Sequence, residues 1–138
     1  MKFLKSGPAR ALILEGNLDA VEFGTAETYL GAFGIFLGGN PLQIGALATL
    51  PALIGSLAQT IGTRIVDRSG SRKKILTWLM KAQGLLWLPI ALLPFLLGTG
   101  WDAVAALIGL AVLYQILTGV MSPIWNSLAG DIIPQELR

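Results

Sequence analysis

Apolar residues fall in long runs along this chain, without the strict alternation of a half-buried strand. Stretches free of charge run from Thr28 to Thr63, from Ala82 to Trp101 and from Ala103 to Gly130. Each reaches the roughly 20 residues that carry a helix across a bilayer. Gly38-Gly39-Asn40-Pro41 and Gly98-Thr99-Gly100-Trp101-Asp102 read as short turns, and the charged segment Arg64 to Lys74 lies between them. The pattern predicts helices over Leu18 to Leu37, Leu42 to Val66, Ile75 to Leu97 and Ala103 to Ile133. At a rise of about 1.5 Å per residue each can span the hydrocarbon. The expected fold is all-α, a polytopic transmembrane bundle of four helices over residues 18–138. Residues 1–17 are expected to form a cytoplasmic N-terminal segment in which Pro8 to Glu15 makes a short cytoplasmic or interfacial helix. Its apolar patch, Ala11 to Leu14, is shorter than the 7 or so residues that a cleavable signal needs.

Composition sharpens this reading: 54% of the residues are apolar and 13% charged, where a soluble domain carries roughly 25% charged residues. There is no Cys and no His, which removes disulfides, thiolate nucleophiles, Cys/His zinc sites and histidine-based triads. An enzyme is not expected, and neither is a metal or other cofactor. The net charge of +2 comes from cations beside the apolar runs, a membrane-topology pattern and not a nucleic-acid footprint. Arg64, Arg68, Arg72, Lys73 and Lys74 crowd the central loop with one anion, Asp67. Four crossings place that loop, Lys2, Lys5, Arg10 and Arg138 on the cytoplasmic side, leaving Asp102 alone in the opposite hairpins. The expected location is therefore the cell (inner) membrane, with both termini cytoplasmic and the lipid bilayer as the first partner.

Small residues mark the faces expected to meet other helices. Gly24, Glu27, Gly31, Gly34 and Gly38 line one face of the first helix, and Gly45, Ala48, Ala52, Gly55, Gln59 and Gly62 line the second. Gly109, Gly119, Ser122, Asn126 and Ala129 do so on the fourth. The third helix, rich in Leu85, Leu86, Trp87, Leu88, Leu92, Leu93 and Phe95, is the one expected to face lipid. Pro51, Pro89, Pro94 and Pro123 are candidate kinks.

The segment from Thr63 to Ile75 resembles the signature loop between helices two and three of the major facilitator superfamily. Ile65, Asp67, Arg68, Gly70, Arg72 and Lys73 match its pattern, while Thr63 stands where Gly is usual and Ser71 replaces the first Arg after the glycine. The segment from Trp125 to Arg138 is similar to the end of helix four and the following loop in many bacterial members. The resemblance covers about Gly16 to Arg138. The Arg-x-x-Gln-Gly motif of the drug-proton antiporters is absent from Leu113 to Gly119. Complete members have twelve helices in two halves, so the resemblance implies the N-terminal part of a longer transporter, whose missing C-terminal helices would be its partner. It also implies a gating role for Asp67, Arg68, Gly70, Arg72 and Lys73.

Glu27 is the leading candidate for a working residue. It lies near the middle of the first predicted helix, where a carboxylate costs roughly 2.5–3.5 kcal/mol unless protonated, paired or hydrated. Family helices one and four line the substrate path, which gives Glu27 a substrate-contact or proton-coupling role, against a packing role as a hydrogen-bonded acid. Tyr114, Gln115, Trp125 and Asn126 are candidates for substrate contact, with packing or interfacial anchoring as the alternative. Asp19 and Glu22 are expected to stay wet, Lys81 to snorkel or to pair with Glu22 or Glu27, and Gln59 to bond a neighbouring helix.

The functional expectation is a secondary transporter, or its N-terminal fragment, moving a small solute by alternating access, with protons as the candidate coupling ion. The alternatives are a self-contained four-helix protein that dimerises like a small exporter and a non-transporting assembly module. Single-cysteine labelling tests the topology. Positions 40 and 100 should react from outside and positions 5, 70 and 136 from the cytoplasmic side; outside-only labelling of position 70 would overturn the orientation.

Overall fold

The computed structural model describes residues 7–68 and 72–132. The chain forms α1 (Gly7–Thr25), a 3₁₀ turn (Glu27–Tyr29), α2 (Leu30–Phe36), α3 (Pro41–Arg68), α4 (Arg72–Leu96) and α5 (Trp101–Ile132). It is all-α, with no strand among the described residues. Three segments are long and apolar enough to cross a membrane: Pro41–Ile65, Arg72–Leu96 and Trp101–Asp131. The ends of α3, α4 and α5 lie within a few residues of those expected.

Local chemistry explains the hairpins. Asn40 and Gln43 form a reciprocal cap on α3: the Gln43 amide donates to Asn40 Oδ1 at 2.9 Å and the Asn40 amide to Gln43 Oε1 at 3.0 Å. Pro41 takes the first helical position, where its missing N–H is no loss. Gly38 at φ +90° supplies the left-handed residue of the first turn. The Gly100 amide donates to the Leu37 carbonyl at 2.7 Å, which ties the two hairpins together at one end of the molecule.

α5 is the central element. α3 runs parallel to it, with Gly55 against Gln115 and Gly119, and Gly62 against Val120 and Pro123. α4 runs antiparallel, pairing Gln83 with Thr118 and Arg72 with Ser127. α3 and α4 have little contact with each other. The apolar core divides in two. Near the hairpins, Leu37, Leu47, Ile90, Leu93, Ala103, Val104, Leu107 and Ala111 form one cluster. Toward the other end, Ala58, Val120 and Ile124 form a second, with Ile75, Leu76 and Leu79 against it. α4 is the least buried of the three long helices, as expected of its leucine-rich surface.

The first expected helix is corrected. Leu18 to Leu37 is not one helix: α1 begins at Gly7, runs through Glu15 without interruption, and stops at Thr25. Ala26 leaves helical geometry at φ −120°, ψ −61°. Hydroxyls compete with the backbone here. Thr25 Oγ1 donates to the Val21 carbonyl at 2.6 Å, and Thr28 Oγ1 takes the Phe23 carbonyl at 2.7 Å, in place of a helical amide. Gly24 adds weak helix propensity and no packing within 4 Å.

The small-residue faces are only partly used. Gly34 packs on Ile44 and Leu47, and Gly55, Gly62 and Gly119 meet α3 or α5 closely. Gly24, Gly31, Gly45 and Gly109 would give an added Cβ open space, and Ala48, Ala52 and Gln59 are exposed. The buried face of α3 is instead Leu47, Pro51, Gly55, Ala58 and Gly62, a stripe rotated from the expected one.

A Cβ on Gly119 would collide with the Gly55 carbonyl. Gly119→Ala should therefore destabilise the fold by about 1–3 kcal/mol through overpacking, whereas Gly109→Ala should be neutral or stabilising by up to about 1 kcal/mol. Denaturant unfolding in detergent checks this; equal effects would show that α3 and α5 do not touch through these glycines.

Candidate functional site

Between the two apolar clusters, α5 presents Tyr114, Gln115 and Thr118, and α4 presents Gln83 and Trp87. Indole N–H and carboxamide NH₂ groups need acceptors when removed from water. Gln83 Nε2 donates to Thr118 Oγ1 at 2.8 Å, and Thr118 Oγ1 in turn to the Tyr114 carbonyl at 3.1 Å. The other acceptors come from α1 and the turn after it. Trp87 Nε1 and the Tyr114 hydroxyl both donate to Glu22 Oε1, at 2.5 and 3.0 Å. Gln115 Nε2 donates to Glu27 Oε1 at 2.7 Å, and Trp125 Nε1 donates to Glu15 Oε2 at 2.5 Å. Tyr114 and Trp87 also pack edge to face, ring centres 5.4 Å apart.

These bonds lay α1 antiparallel along α5, with Glu15 beside Trp125 and Glu27 beside Gln115. Three adjoining clefts follow the seam. One of about 330 Å³ lies among Phe23, Glu27, Pro51, Ala52, Tyr114 and Gln115. A second of about 500 Å³ shares Phe23, Glu27, Tyr114 and Gln115 with it and extends to Asp19, Gln83 and Thr118. A third of about 300 Å³ continues from Asp19, Gln83 and Thr118 to Glu15, Met80 and Trp125. Among the described residues no Lys or Arg lines any of the three. The walls can accept hydrogen bonds and hold a proton or a small polar solute. No group of His, Cys, Asp or Glu among the described residues is placed to hold a metal ion.

The structure brings together three of the expected site residues, Glu27, Tyr114 and Gln115, and adds Glu22, a residue expected to stay wet. Its signal was present in the spacing: Glu15, Asp19 and Glu22 fall four and three residues apart, on one face of a helix. Asn126 is exposed on α5 and lines none of the clefts. Trp125 holds Glu15. Lys81 makes no pair with Glu22 or Glu27; it is exposed, its Nζ 5.4 Å from the centre of the Trp78 ring. Gln59 is exposed and bonds no neighbouring helix among the described residues.

Of the loop residues, Gly70 lies outside the described residues, as do the side chains of Asp67 and Arg68, whose backbone ends α3. Arg72 Nη1 donates to Ser127 Oγ at 2.8 Å and sits 3.6 Å from Asp131 Oδ2, joining the start of α4 to the last turns of α5. Lys73 is exposed. No known protein family, curated protein or solved structure matches the chain.

Tyr114→Phe keeps the ring against Trp87 and deletes one donor to Glu22. It should destabilise the protein by about 1.5 kcal/mol, the low end for a hydrogen bond to a charged group because Glu22 is only half-buried. A change below about 0.5 kcal/mol in denaturant unfolding would mean that the phenol does not hold Glu22.

Proposed function

We propose that this chain is the helical core of one part of a membrane-embedded secondary transporter of the major facilitator type, moving a small solute by alternating access. The observation that carries the reading is the pair of clefts meeting at Glu27, Tyr114 and Gln115. A carboxylate in a membrane segment is expensive unless it serves a pathway, and irregular backbone such as the turn at Glu27–Tyr29 is tolerated at membrane depth where it lines a cavity. Three apolar helices of spanning length support the membrane setting. So does the outward face of α3, where each of the hydroxyls of Thr49, Ser56, Thr60 and Thr63 bonds a carbonyl of its own helix.

In this reading Glu27 carries the proton that couples transport and Gln115 holds its carboxylate. Tyr114 and Phe23 shape the solute cavity, and Arg72 fixes the cytoplasmic end of α4 to α5. The membrane is the cell (inner) membrane, with the Arg64 to Lys74 loop and both termini on the cytoplasmic side. The first cleft opens past the exposed Ala48 and Ala52, where the remaining helices of the transporter would close it. The same opening favours a second reading, a four-helix protein completed by a second copy of itself, which mass measurement in detergent distinguishes.

In the transporter, Glu27→Gln should leave membrane insertion unchanged and lower proton-coupled uptake or efflux by at least about 10²-fold, the lower range for loss of a positioned acid. Proton coupling that survives the substitution would remove Glu27 from the mechanism.

A further inference from the structure

We infer that α1 is a hinged strap, which swings as a unit about the break at residues 25–29 and uncovers the row of clefts beneath it. The inference stands apart from the transport reading, since it rests on how α1 is attached.

The two sides of the break are held by different forces. On the α2 side, Leu37 is fully buried in the hairpin-end cluster, Leu30 and Phe33 pack against that cluster, and Gly34 is buried on Ile44 and Leu47. Backbone bonds pin the same segment: the Gly39 amide donates to the Gly34 carbonyl at 2.9 Å and the Gly100 amide to the Leu37 carbonyl. On the α1 side, none of the described side chains between Gly7 and Thr25 belongs to either apolar cluster. Ile13, Leu14, Leu18 and Val21 are each about half exposed or more.

What joins α1 to the body is hydrogen bonding through carboxylates. Glu15 accepts from Trp125 and Glu22 from Trp87 and Tyr114, while Glu27, in the turn at the hinge itself, accepts from Gln115. These bonds cross the seam occupied by the three clefts, with Asp19 lining two of them. A swing therefore breaks a few directional bonds and opens a channel of polar side chains without exposing an apolar core. At the hinge Ala26 has already left helical geometry. Thr25 Oγ1 holds the Val21 carbonyl from within α1, so a change of φ and ψ at Ala26 leaves that bond intact, whereas the Thr28 Oγ1 bond to the Phe23 carbonyl crosses the break and is one more directional bond that the swing exchanges.

The chain contains no Cys, so spin-label pairs can be introduced directly and read by pulsed dipolar spectroscopy in lipid bilayers. One pair joins α1 to the body (Leu14→Cys with Leu57→Cys), and a control pair joins α2 to it (Phe36→Cys with Leu57→Cys). All three sites are exposed. Leu14 lies roughly 18 Å of helix from Ala26, so a swing of about 20° displaces it by about 6 Å. The full chain carrying only the labels should give a wider distance distribution for the Leu14 pair than for the Phe36 pair. Removing the four donors together (Trp87→Phe, Tyr114→Phe, Gln115→Leu and Trp125→Phe) should shift or broaden the Leu14 distance by about that displacement and leave the Phe36 distance in place. Equal widths in the donor-intact chain would overturn the inference independently of whether the donor variant folds. A Leu14 distance unmoved by donor removal would do so too, as would a shift shared by both pairs.

Discussion

Everything else in this molecule is placed by the meeting of two backbones. At Gly55 and Gly119 no side chain stands between α3 and α5, and the carbonyl of one glycine lies where a Cβ of the other would be. Contact that close fixes register as well as distance, since sliding either helix by one residue would drive Ser56 or Val120 into the gap. With the register set, Leu47 meets Leu107 at the hairpin end and Ala58 meets Val120 and Ile124 toward the other. The stretch of α5 from Tyr114 to Thr118 is left between the two clusters, and the polar side chains gather there.

That middle layer depends in turn on α1. Trp87 and Trp125 are donors only, and Tyr114 and Gln115 also present hydrogens to a partly buried seam. In this layer Thr118 Oγ1 accepts from Gln83, which leaves the two indoles, the Tyr114 hydroxyl and the Gln115 amide to find acceptors on α1 and the turn after it. The glutamates of α1 and its following turn fill the remaining demand. The dependence is mutual: without these donors, Glu15, Glu22 and Glu27 would be bare carboxylates against an apolar bundle, where an unpaired acid is costly. A helix that turns Ile13, Leu14, Leu18 and Val21 outward is thus held by acids that would otherwise argue against its lying there.

How far the sequence disclosed this follows from which interactions are local. The long helices, the Asn40-Pro41 start and the glycine turns are written in consecutive residues, and α3, α4 and α5 begin and end close to where the pattern puts them. On α3 the expected stripe and the buried one share Gly55 and Gly62 and part elsewhere, because small residues occupy adjoining sides. Gly45, Ala48 and Ala52 suit a close contact as well as Ala58 does, and the choice between the sides is made by α5, far along the chain. The break after Thr25 was missed for a different reason. Apolar content through Leu18 to Leu37 suits a helix, and the competing signal is two threonine hydroxyls whose targets, the Val21 and Phe23 carbonyls, are backbone atoms that no composition records. Glu27 stood out by its position among apolar residues, but its partner Gln115 lies 88 residues away. With a helix starting at Leu18, Glu22 falls in the first turns and is expected to be wet; with α1 running Gly7–Thr25 it falls in the last turn instead, where Trp87 and Tyr114 reach it.

The course of α1 also reconciles charge with the number of apolar helices. Three spans alone would put Arg10 on the side of the hairpins, which carry no cation, and the Arg64 to Lys74 loop on the other, against the tendency of cations to share one side. α1 lacks the hydropathy of a spanning helix because of its acids. Yet it runs antiparallel to α5, and the Glu15–Trp125 bond carries it back to the end where Arg72 meets Ser127 and Asp131. Glu15 and Glu22 are met by indole and phenol donors from α4 and α5, so hydropathy, which scores each residue as if alone, understates how well the segment can lie in an apolar medium. Under the transporter reading, α1 and α2 together make the fourth crossing, and the groups that disqualify α1 by composition are those that attach it to its neighbours.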